Sequence, residues 1–134
     1  MRYLKLAMIV VVAASVSGCA MMGITQWQLQ HEKVKYSKSF EKDVQYCYRT
    51  TKDALDKWNA SVWYEQENCY IIAIKFNKIY KNCIDTTELG IFFKEEGPQK
   101  TQVEVSSMNH HLSQFVSEKL FRYITNPQIS DEKQ

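Results

Sequence analysis

The chain has 134 residues, of which 45% are hydrophobic, and 17 basic residues stand against 15 acidic ones for a formal net charge of +2. That length suits one domain around one core. The absence of any block of like charges removes the electrostatic footprint that nucleic-acid binding needs.

Arg2 and Lys5 give the N-terminus a positive start, and Leu6 to Val16 (LAMIVVVAASV) carries no charge. A helix over that run would be roughly 16 Å long at about 1.5 Å per residue, half of a ~30 Å hydrocarbon core. It has the length of a signal-peptide core rather than of a membrane span. Val16-Ser17-Gly18-Cys19 follows, and it resembles the bacterial lipobox. The resemblance implies removal of residues 1–18, acylation of the Cys19 thiol with chains such as palmitate, and usually acylation of the new N-terminus. An ordinary secretory signal, or a buried helix with Cys19 incidental, is the plainer alternative. Each buried methylene contributes about 0.8 kcal/mol, so two or more chains anchor stably. In enterobacterial lipoproteins an Asp after the lipidated cysteine retains the protein in the inner membrane. Ala20 in that position implies the outer membrane of a Gram-negative cell, facing the periplasm.

Removing residues 1–18 takes away Arg2 and Lys5 and no acid, which leaves 15 basic against 15 acidic residues. The mature chain is neutral. Ala20 to Gln30 (AMMGITQWQLQ) is uncharged, and residues 19–32 read as a tether from the bilayer to a domain over 33–125. Lys33 to Tyr36 alternates as a short edge strand. Ser37 to Ser39 offers helix caps. Phe40, Val44, Cys47, Tyr48, Thr51, Ala54, Leu55 and Trp58 then recur at spacings of three and four, the mark of a one-faced helix of about twenty residues.

Strands are predicted at Val62–Glu65, Cys69–Asn77, Thr86–Glu95 and Thr101–Ser107, with turns at Gln66-Glu67-Asn68 and Gly97-Pro98. Leu112, Phe115, Val116, Leu120 and Ile124 mark a closing helix capped by Ser107 or Asn109, and residues 126–134 form a polar tail. The order β-α-β-β-β-β-α predicts an α+β two-layer sandwich, an antiparallel sheet of four to five strands with two helices on one face. Lipobox, tether, the Ser37-Lys38-Ser39-Phe40 helix start, four strands and a closing helix together resemble small proteobacterial lipoproteins of unknown function. The resemblance covers most of Val34 to Ile124, implies a fold and a location, and carries no catalytic residues.

With Cys19 acylated, Cys47, Cys69 and Cys83 remain. Cys47 lies on the apolar helix face as a small buried residue. Cys69 and Cys83 bracket a predicted hairpin and form the candidate disulfide, the alternative being three reduced thiols. No C-x-x-C pair exists, and adjacent His110 and His111 would point about 100° apart on a helix, so no metal site is predicted. His31 has no spaced partner. Glu95, Glu96 and Asp85 sit at turns and strand starts as solvated charges. With no Gly-rich phosphate loop and no nucleophile motif, neither an enzyme nor a cofactor is expected.

Surplus apolar surface is the stronger lead. If Tyr70, Ile72, Ile74 and Phe76 face the helices with Leu89, Ile91 and Phe93, then Ile71, Ala73 and Phe92 lie on the other face, joined by Trp63. Such a patch marks a binding face. The functional expectation is a lipid-anchored periplasmic module that binds an envelope protein through that face. The alternative is a carrier or sensor of a small lipophilic ligand held between sheet and helices.

Overall fold

A computed structural model describes residues 24–128. The expected signal segment, the stretch resembling a lipobox with Cys19, residues 20–23 and residues 129–134 lie outside the described residues. The chain runs α1 (Ile24–Gln30), β1 (Lys35–Phe40), α2 (Val44–Lys57), β2 (Ser61–Gln66), β3 (Tyr70–Ile74), β4 (Leu89–Gly97), β5 (Lys100–Ser107) and α3 (His110–Thr125). The strands form one antiparallel sheet in the order β1-β5-β4-β3-β2, so β1 and β2 are its edges. The α+β sandwich is the observed architecture, with α2 and α3 on one face. No helix among the described residues is long and apolar enough to cross a membrane.

Both long helices form where the periodicity places them, for identifiable local reasons. Asp43 caps α2 by accepting from the Tyr46 backbone N–H at 2.6 Å, and Asn59 at φ 58° turns the chain after its last residue. Helix α2 starts later than predicted because Ser37 to Phe40 continue β1, paired with Glu104 to Thr101 of β5. In that register the Phe40 ring reaches the core. Asn109 caps α3 by accepting from the Leu112 N–H at 3.1 Å.

The space between sheet and helices is filled. Leu55, Ala54 and Cys47 of α2 and Leu112, Val116, Leu120 and Tyr123 of α3 pack fully buried on Ile71, Ala73, Leu89, Ile91, Val103 and Val105. Tyr123 donates a hydrogen bond to Asp53 and sets its ring edge-on to Trp58 at 6.4 Å, which ties the two helices together.

The faces of β3 are the reverse of those predicted. Ile71 pairs with Ile91 and Ala73 with Leu89, and cross-strand partners share a face. Since Leu89, Ile91 and Phe93 do face the helices, Ile71 and Ala73 are carried into the core with them. Tyr70 and Ile72 go to the opposite face. Phe76 returns to the core only because Lys75, at φ 64°, interrupts the alternation just before it.

That opposite face is not open throughout. Residues 24–30, read above as tether, form α1, and its Leu29 packs on Ile72 and Phe92. Gly90 makes the approach possible: a Cβ there would stand 2.7 Å from the Phe92 ring and 3.2 Å from Leu29 Cβ. Buried Ser106 donates to the Leu29 carbonyl at 2.5 Å, and Lys35 Nζ reaches the Gln30 carbonyl at 2.7 Å.

The disulfide expected between Cys69 and Cys83 is absent; both are free thiols. Cys69 precedes β3, whereas the segment holding Cys83 returns at the other end of that strand, where the Lys75 N–H bonds the Asp85 carbonyl at 3.0 Å. At ~3.3 Å per residue the strand separates the two by far more than the ~7 Å Cα limit for a bridge.

Candidate functional site

The four residues expected to form one binding face are not brought together. Ile71 and Ala73 lie in the main core, Phe92 lies under Leu29, and Trp63 stands 55% exposed at a bulge in edge strand β2. Among the described residues, depressions form instead on each side of the sheet.

The larger is an open groove of ≈620 Å³ between edge strand β1 and the last two turns of α3. Lys38 forms the strand wall, and Glu118, Phe121, Arg122, Thr125 and Asn126 form the helix wall. Antiparallel pairing with Val103 turns Lys38 to the helix side of the sheet. Its ammonium stands 5.5 Å over the Phe40 ring, and that ring meets Phe121 at 5.7 Å. The groove therefore has an aromatic floor and charged rims. Among the described residues nothing pairs with the outer edge of β1, and an edge strand turns alternate N–H and C=O groups outward.

The smaller is a cleft of ≈270 Å³ beside α1 on the opposite face. Tyr70 and Phe92, their rings 6.4 Å apart, line its floor. Gln26, Gln30, Gln66 and Gln102 surround it with carboxamides, and Phe93, Lys94, Glu104 and the exposed Cys69 complete the lining. Lys35 bonds Glu104 at 2.8 Å.

Among the described residues no group of three His, Cys, Asp or Glu side chains is placed to hold a metal ion. His110 meets Glu32 at 3.1 Å, His31 bonds the Trp27 carbonyl at 2.9 Å, and His111 is exposed. Burial pushes the thiols of Cys47 and Cys83 up, away from the thiolate form that reacts.

The carboxylates with altered acidity serve the fold. Burial alone pushes Glu65 up, but hydrogen bonds from Tyr48 and Lys52, with the Lys52 charge, outweigh it and hold the carboxyl below its ordinary range. Burial raises Glu88. The two therefore act on stability with opposite sign. A lowered folded-state pKa stabilises above the unfolded carboxylate pKa of ~4.3 and is lost as pH falls through the lower folded value. A raised one leaves stability intact below ~4.3 and diminishes it as pH climbs through the folded value. Glu65→Gln should thus lose about 1 kcal/mol or less at pH 7, since Lys52 and Glu65 are partly exposed. Glu88→Gln should gain stability at pH 7. Urea titrations at pH 7 and pH 3 check both, and both differences should shrink toward pH 3.

Sequence spacing missed the groove because Lys38 and Arg122 are joined only by the pairing of β1 with β5 and the packing of α3 beside it. It missed α1 because one buried residue, Leu29, makes no period. Gly90 inside a strand was the available signal of a close neighbour.

No protein-family description and no curated protein matches this sequence. Several solved structures are similar in part, two of them as follows. One is the solution structure of a self-sacrificing resistance protein, CalC from Micromonospora echinospora, at 14% identity and a TM-score of 0.46, covering 57% of this chain and 72% of that one. The other is a conserved protein of unknown function from Enterococcus faecalis, at 13% identity and a TM-score of 0.44, covering 75% of each chain.

Proposed function

We propose that this protein is a lipid-anchored module of the bacterial cell envelope, non-enzymatic, which binds a partner protein through the groove between β1 and α3. The lipobox Val16 to Cys19 supports the anchoring. The observation that carries the binding is the groove itself: ≈620 Å³, aromatic-floored, and continuous with the unpaired edge of β1. An extended segment of the partner adds as a strand to β1, and its alternate side chains enter the groove beside Phe121. Main-chain hydrogen bonds then supply affinity, while Lys38 and Arg122 favour an acidic side chain or a carboxylate over a basic one. This site replaces the predicted patch, whose members Ile71 and Ala73 are inaccessible. A lipophilic ligand between sheet and helices would need the space that Leu55, Ile91, Leu120 and their neighbours fill.

A photoactivatable side chain at Lys38 of the full-length protein in intact cells should give a discrete adduct with one envelope protein. The same probe at exposed Glu67, in the turn after the opposite edge strand, should not. Arg122→Glu should weaken the Lys38 adduct about tenfold, equivalent to ~1.4 kcal/mol. In parallel, Cys19→Ser should abolish palmitate labelling and leave residues 1–18 attached. Equal adducts from Lys38 and Glu67 would remove the groove from consideration, and normal labelling of Cys19→Ser would remove the anchor.

A further inference from the structure

Leu29 is 2% exposed while Trp27 is 60% exposed. Residues two apart on a helix project about 200° from one another, so α1 lays Leu29 on the sheet and turns Trp27 directly away from it. The indole stacks on the His31 ring at 4.6 Å, a fixed apolar platform with a polar flank. Only residues 20–23 separate Cys19 from the first residue of α1. At no more than ~3.6 Å per residue, the five steps from Cys19 to Ile24 reach at most about 18 Å. The eleven residues from Ala20 to Gln30 carry no charge that would have to be kept in bulk water.

We infer that α1 is a membrane-contact element: Trp27 sits in the interface of the bilayer that holds the Cys19 acyl chains, and the domain rests on that surface by its α1 face. The inference depends on the lipid anchoring proposed above. Indole rings are enriched at the headgroup level because one end is apolar and the other donates a hydrogen bond. One aromatic side chain would not hold a free protein there. Beside an acylated cysteine it needs only to orient a domain already at the surface, and the local concentration is set by the short connection. The layers then stack outward from the bilayer as α1, sheet, and finally α2 with α3. The groove between β1 and α3 lies on the side facing away from the lipid, accessible to a partner.

The test uses the full-length lipidated protein carrying Trp63→Phe, in vesicles of phosphatidylethanolamine and phosphatidylglycerol with and without bromine at shallow acyl positions. Trp58 is buried and supplies a constant background. Trp27 emission should fall several-fold in the brominated vesicles, and Trp27→Phe in the same background should lose that quenching. Equal emission in both vesicles, from protein whose Cys19 is shown by mass to be acylated, overturns the membrane contact and leaves the anchor standing. An unacylated Cys19 in the mature protein overturns both.

Discussion

Ile71→Asp should unfold the domain. The side chain is fully buried between sheet and helices, opposite Ile91. Substitution forfeits about 2–3 kcal/mol of apolar burial and leaves a carboxylate in the core without a partner, which costs several more. Against a total stability of roughly 5–15 kcal/mol for a domain, that sum removes most or all of the folded population. Circular dichroism should show no cooperative thermal transition, or one displaced far downward. Phe92→Asp, one strand over and on the other face, should keep a cooperative transition because its burial depends on α1. A native melting curve for Ile71→Asp would mean that β3 presents its other face to the helices.

Leu29→Asp should release α1 and leave the rest of the domain folded. A seven-residue helix has too few hydrogen bonds to persist alone in water. It is held by Leu29 against Ile72 and Phe92 and by the hydrogen bond from Ser106. Losing that burial costs about 2 kcal/mol, which for a domain of this size lowers Tm by roughly 8–16 °C. Hydrogen exchange provides the sharper readout. Amides of 24–31 should lose protection while those of β4 and β5 retain theirs. Unchanged protection over 24–31 would show that other contacts hold the helix.

The parts of this fold legible in the sequence are those in which a period of 3.6 or 2 is unambiguous. Cys47, Tyr48, Thr51, Ala54, Leu55 and Trp58 recur on one side of α2 and are all buried. Leu89, Ile91 and Phe93 alternate with Gly90 and Phe92, and do face the helices. Strand β3 defeated the same reasoning because Tyr70 to Ile74 is apolar at every position. Its orientation is decided by its partner β4, and the tempting series Ile72, Ile74, Phe76 crosses a residue with positive φ. The candidate disulfide failed because flanking a strand in sequence places two residues at opposite ends of it. The groove was illegible for a different reason. Its walls are about eighty residues apart in the chain, and neither has a distinctive local pattern.

Most partners of the first described elements lie in the last third of the chain. Among the described residues strand β1 pairs only with β5, and α1 rests on Ile72, Gly90, Phe92 and Ser106. In a chain synthesised from its N-terminus, residues 24–40 emerge before the strands they pack on and pair with. Their contacts form only once the chain has been made to about Ser107, because contacts distant in sequence form late. The arrival of β5 is therefore the step that gives both β1 and α1 their places.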